Sequence, residues 1–245
     1  MIYLVCGLII GVVMGLTGAG GALIAIPLFM QYLDMPLKEA SVYSLLAVVI
    51  ASLSNFIAQR ANTNFKVSIL IVCISAIGSY LSAPYKLLIG DYVIKTLLIT
   101  ISLFATYGVW FKSKPVVKSS NGLKSYFLLS LPIGLSLGVL TTFTGLGGGV
   151  LMLPIFLKLY SFNQEEAVAS SLLVVALSSF FSLLIQAKNG LKMNLDVNTI
   201  YLTIGILSAV FMLKIATSKF PLKAVLLIRK IVFTMVVCLA IMKLI

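Results

Sequence analysis

The chain carries TGAGGALIAIP at residues 17–27 and, 127 residues later, TGLGGGVLMLP at residues 144–154. At the same offset Gly11 meets Gly138, Phe29 meets Phe156, and Glu39-Ala40 meets Glu166-Ala167. Ser44-Leu45-Leu46 falls on Ser171-Leu172-Leu173, Ser52 on Ser179, Gln59 on Gln186 and Asn62 on Asn189, with no gap. Chance pairing of apolar letters does not put Thr, Gly, Pro, Glu, Ser, Gln and Asn in one register. The chain is internally duplicated, and each copy opens on a glycine-rich core inside an apolar run.

The surroundings of those cores settle the class. Of 245 residues, 61% are hydrophobic and 10% are charged, with mean hydropathy +1.16. A soluble domain has about a quarter of its residues charged, so a water-soluble globule is excluded, and no polar low-complexity stretch is long enough for a disordered domain. There is no His, which removes imidazole ligands, bases and triads. Net charge +12 comes from Lys and Arg at the ends of apolar segments. There they orient a chain in a membrane, and no nucleic-acid partner is expected. The N-terminal MIYLVCGLIIGVVMG has no basic n-region and is expected to belong to the mature fold. Cys6, Cys73 and Cys238 lie singly in apolar runs and suit buried small hydrophobes.

The apolar runs are A (2–33, broken at 17–21), B (40–58), C (67–83), D (92–111), E (125–158, broken at 144–149), F (167–187), G (199–213) and H (225–244). The basic stretch 112–124 divides them into a first membrane repeat, 1–111, a basic cytoplasmic linker, 112–124, and a second membrane repeat, 125–245. As one straight helix, run A would reach about 48 Å, against a hydrocarbon core of about 30 Å. Two arms joined at the glycines make a hairpin instead. With hairpins at A and E, twelve of the eighteen basic residues share one side of the membrane; with single broken spans the division is nine to nine. The positive-inside bias favours hairpins. Each copy then adds three full spans, an odd number, so the second is inverted. The expected fold is an all-α polytopic membrane protein, an inverted repeat of two halves, each a Gly-broken helical hairpin plus three transmembrane helices.

Consecutive glycines open a helix and expose backbone N–H groups. The helix that follows starts with amides that have no intrahelical partner and with the positive end of its dipole, a combination that suits anions. Paired interruptions of this kind in inverted-repeat transporters lie near mid-membrane and face anionic substrate. The expected substrate ligands are Thr17, Gly18, Gly20 and Gly21 in the first core, and Thr144, Gly145, Gly147, Gly148 and Gly149 in the second. Neither core ends in the Gly-Lys-Ser/Thr of a Walker A loop or follows a strand. Gly7, Gly11, Gly15, Gly134 and Gly138 suit close helix packing instead. Ser44, Val48, Ser52, Asn55 and Gln59 line one helical face, as do Ser171, Val175, Ser179, Ser182 and Gln186. Ser44, Gln59, Ser171 and Gln186 are the expected substrate-facing members. Asn163 three residues before Glu166 resembles a capping box. No carboxylate, Lys or Arg falls inside an apolar core, so anion binding is expected to rest on dipoles alone.

A short, duplicated chain of about eight apolar segments with a TGxGGGxxxxP core in each half resembles the sulfite exporter TauE/SafE family of membrane permeases. The resemblance covers nearly the whole chain and departs from the fuller pattern at Ala22, where the second core has Gly149. It implies a multi-pass protein of the cell (inner or plasma) membrane that transports sulfite, sulfonates or related organosulfur and organic anions. Its partners would be a small anionic substrate and the lipid bilayer; a homodimer is left open. No enzymatic activity, cofactor or metal is expected. The competing readings are a thiol-disulfide electron carrier using two of the three cysteines, a small organic-acid facilitator of the same fold, and a membrane enzyme or assembly factor.

Overall fold

The computed structural model describes residues 2–17, 22–110, 123–190 and 197–217, together with Thr234 and Cys238. The helices are α1 (Ile2–Thr17), α2 (Ala22–Tyr32), α3 (Leu37–Gln59), α4 (Phe65–Leu88), α5 (Asp91–Trp110), α6 (Leu123–Thr144), α7 (Gly149–Lys158), α8 (Gln164–Lys188) and α9 (Val197–Thr217), with a short 3-10 turn at Arg60–Asn62. Gly18, Gly20 and Gly21, nearly all of the 112–124 linker and, apart from Thr234 and Cys238, run H lie outside the described residues.

Four described helices hold spans long and apolar enough to cross a bilayer: Leu37–Ile57, Phe65–Leu88, Phe127–Thr144 and Gln164–Lys188. Large apolar side chains cover the outside. Tyr80, Leu88, Tyr92 and Leu128 are each more than two-thirds exposed, a surface that would aggregate in water and that lipid matches. The protein is an integral, multi-pass, helical membrane protein.

The duplication is carried into backbone detail. Adding 127 to α2 and α3 gives 149–159 and 164–186; the helices found there are Gly149–Lys158 and Gln164–Lys188. Both copies leave their glycine-broken segment through the same turn. Asp34 (φ 49°) and its equivalent Ser161 (φ 54°) are the two described non-glycine residues in the left-handed region. Beside them the amide of Met35 donates to Phe29 O at 3.3 Å, and that of Phe162 to Phe156 O at 3.1 Å. A left-handed residue that returns an amide to a carbonyl of the last helical turn is how helices stop cleanly.

Run E folds back on itself. The Ser130 hydroxyl of α6 lies 2.7 Å from the Tyr160 phenol, which follows α7. At 1.5 Å per residue, a continuous span would separate them by about 45 Å. The α7 helix therefore turns back toward the end of α6 that carries Ser130, packing on α8. The ends agree: Asn62 and Asn64, between α3 and α4, donate to Glu165 (3.0 Å) and Glu166 (3.1 Å) at the start of α8. At the opposite end Lys38, at the start of α3, donates to Leu87 O, at the end of α4, at 2.9 Å. Asn163 caps α8 by accepting from the Glu166 amide at 2.8 Å. The other half of the expected capping box is replaced, since the Glu166 carboxylate turns to Asn64.

The two halves interleave. Helix α1 packs on α9, and α4 packs on α6. Glycines seat both contacts, because they let backbones approach. A Cβ on Gly7 would lie 2.5 Å from Leu202 O, and one on Gly11 2.7 Å from Ile206 O. At the equivalent contact, Gly134 meets Ile74, and Gly138 is seated on the Ser75 carbonyl. Gly205 and its equivalent Gly78 supply the opposite faces of the two seams. Helices α3 and α8 pack on each other between these pairs. We expect Gly138→Ala to lower stability by about 1–3 kcal/mol through overpacking against backbone. Gly90→Ala, at a position with nothing within 4 Å, should stay within about 0.5 kcal/mol. Unfolding of the purified protein in detergent measures both.

Candidate functional site

The break between α6 and α7 is buried throughout, from Thr144 to Gly149. Gly145, Gly147 and Gly148 have φ of 71°, 67° and 66°. L-residues avoid that region, and three such residues within four positions require glycine. The Thr144 hydroxyl donates to Leu140 O at 2.6 Å and accepts from the Leu146 amide at 3.3 Å. It holds the helix end and the first turn of the break. Among the described residues, no backbone hydrogen bond closes onto the amides of Gly147, Gly148 or Gly149.

The break sits against α3 and α8. The Ser44 hydroxyl donates to Gly145 O at 2.7 Å and to Ser41 O at 2.8 Å. Gly147 lies between Val48, half-way along α3, and its repeat equivalent Val175, half-way along α8. A Cβ there would stand 2.6 and 3.4 Å from their methyl groups and 2.5 Å from the Ser179 hydroxyl. Gly148 is seated against Leu137 of α6, with the Thr141 hydroxyl 3.5 Å from its Cβ position. Ser179 Oγ and Thr141 Oγ1 are buried and have no hydrogen-bond partner among the described residues. Buried hydroxyls are ordinarily satisfied. Two such hydroxyls stand beside one glycine break.

The expected site residues divide accordingly. Thr144, Gly145, Gly147, Gly148, Gly149 and Ser44 come together. Gln186 is fully buried one element away, whereas its equivalent Gln59 is exposed at the end of α3. Ser171 is buried and donates to Val168 O at 2.8 Å in its own helix. Gly18, Gly20 and Gly21 lie outside the described residues, and so does the side chain of Thr17. Cys6 is buried and Cys73 exposed, and neither is disulfide-bonded.

One expectation is overturned. A cation does enter the interior: Lys86 is 0% exposed. Run C was expected to end at residue 83, but α4 continues through Pro84 to Leu88 and carries Lys86 inward. Its ammonium donates to Ser41 Oγ at 2.6 Å and to Gln186 Oε1 at 2.6 Å. Both partners are neutral, and no described carboxylate bonds it. Burying an ion costs on the order of several kcal/mol unless a counter-charge offsets it. The network continues inward: Gln186 Nε2 donates to Ser182 Oγ at 2.9 Å, which lies 3.2 Å from Thr142 Oγ1. Ser41, Lys86, Thr141 and Thr142 have no counterpart of the same type in the other half, so the repeat could not reveal them. The available signal was the polar character of Lys86 combined with continuous helical sequence beyond Pro84.

Replacing Gln186 with Leu removes an acceptor from a buried ammonium and should cost about 1.5–3 kcal/mol. Gln59→Leu, on an exposed position, should cost under about 0.5 kcal/mol. Denaturant titration of the two variants in detergent reads the contrast between repeat equivalents.

A family model described as Sulfite exporter TauE/SafE matches residues 3–242. The chain is 26% identical to the Probable membrane transporter protein YunE of Bacillus subtilis, across 97% of this chain and 96% of the relative. It is 31% identical to a protein of Methanocaldococcus jannaschii also named a probable membrane transporter protein, across 75% of this chain and 70% of that one. Similarity at 24% identity extends to the Probable membrane transporter protein YdhB of Bacillus subtilis, across 71% of this chain and 74% of the relative. No solved structure matches the chain.

Proposed function

The chain belongs to the sulfite exporter TauE/SafE family of membrane transporters, and on that premise we propose that it moves a small anion, with sulfite, sulfonates and related organosulfur anions as the leading class. The observation that carries this reading is the buried glycine break with two unpartnered hydroxyls beside it, half-way along α3 and α8. Free amides at the start of a helix favour negative charge. Unsatisfied backbone at membrane depth is tolerated where protein surrounds it or where it lines a polar path. Thr17, Gly18, Gly20 and Gly21 are the equivalent ligands from the first half.

In this reading the second half is inverted relative to the first in the plasma membrane, so the two hairpin tips enter from opposite leaflets. The reciprocal seams, α1 on α9 and α4 on α6, support a two-fold relation of the halves. Alternating access follows from rocking hairpin E and its equivalent against the α3–α8 pair. Val48, Val175 and Leu137 pack against the break and would have to part to admit a substrate. Transport requires no covalent step, and no catalytic residue is assigned.

Gly147→Leu puts a side chain into Ser179 and Val48 at a left-handed position. Sulfite uptake by proteoliposomes should fall at least tenfold, and Gly20→Leu should behave alike. Undiminished uptake in both variants, with the proteins correctly inserted, overturns the reading.

A further inference from the structure

We propose that Lys86 is a charged anion station on the route to the glycine break, reached when a monoanion displaces the Gln186 carbonyl oxygen from the ammonium. The inference rests on the transport reading above and deepens it by assigning the counter-charge.

Lys86 has three N–H donors, and the structure satisfies two of them with neutral oxygens. The fold itself has no need of the charge, since the repeat equivalent in α9 is Leu213. A buried ammonium without a carboxylate is an unmet demand for one negative charge. Gln186 is suited to yield to it. If its amide turns away, Oε1 leaves the ammonium and Nε2 becomes a second donor for the arriving anion. One oxygen would then lie on Lys86 and another on Gln186. That geometry fits a carboxylate or a sulfonate carrying a single charge, whereas a dianion would retain a charge without a partner.

The station has an inner and an outer connection. Inward, Gln186 reaches Ser182, and one helical turn further Ser179 presents its unpartnered hydroxyl at Gly147. Outward, Lys38 lies at the same end of the molecule, with its ammonium on the Leu87 carbonyl beside Lys86. A line of polar side chains thus runs from the end where α3 begins to the centre of the α3–α8 pair, and this is the route we assign. Because Lys86 occurs in one half alone, this route is chemically unlike its repeat-related counterpart, and entry from the two sides is unequal.

The test uses the full chain in proteoliposomes with methanesulfonate as the monoanion probe, alongside the Gly147→Leu variant. Lys86→Gln should raise KM for methanesulfonate at least tenfold with a smaller change in maximal rate, and Lys86→Arg should remain within threefold of the parent. Gln186→Glu supplies an internal carboxylate, so it should raise both the thermal midpoint and KM. A lysine that only supports packing gives a different pattern. Unchanged KM in Lys86→Gln and Gln186→Glu, with Gly147→Leu inactive, overturns the station and leaves the transport reading standing. Absence of uptake of methanesulfonate, sulfite and acetate by the parent protein overturns both.

Discussion

Lipid offers no hydrogen bond to a peptide group, and a chain that interrupts a helix at membrane depth must cover the interruption with itself. The break between α6 and α7 is covered by α3 and α8. The Ser44 hydroxyl takes the Gly145 carbonyl, and Val48 and Val175 close over Gly147. The remaining arrangement serves that enclosure. The glycine seams bring α4 against α6 and α1 against α9, which holds the α3–α8 pair between them. A bulkier residue at Gly138 or Gly11 would push these helices apart and open the shell that the break requires.

Within this symmetric frame the chemistry is unequal. Gln186 is buried against an ammonium and Gln59 faces outward. Lys86 stands where the other half has Leu213. Duplication supplied a scaffold with two similar surfaces, and polar substitutions have differentiated one of them.

Much of this was legible in the sequence. The offset of 127 holds to within two residues at the ends of α2 and α3, because paired Pro, Gly and Glu mark boundaries that backbone physics fixes locally. The packing role of Gly7, Gly11, Gly134 and Gly138 was legible for the same reason. Lys86 was not. Basic residues beside apolar runs normally mark the membrane boundary, and Pro84 normally suggests the end of a helix. Here α4 continues past the proline, and Gln186, one hundred residues away, makes the position habitable. The orphaned hydroxyls of Thr141 and Ser179 were likewise invisible, since an unmet hydrogen bond is a property of the assembled surroundings and not of spacing.

The exchanged seams bear on biogenesis. Gly7 leaves the ribosome nearly two hundred residues before the backbone it must lie against, around Leu202 and Gly205. Until then α1 has no fitted neighbour there, and α4 has to await α6. The nascent chain therefore carries small-residue grooves facing lipid or the insertion machinery while the intervening segments are made, and the seams close late, as contacts between distant parts of a chain require.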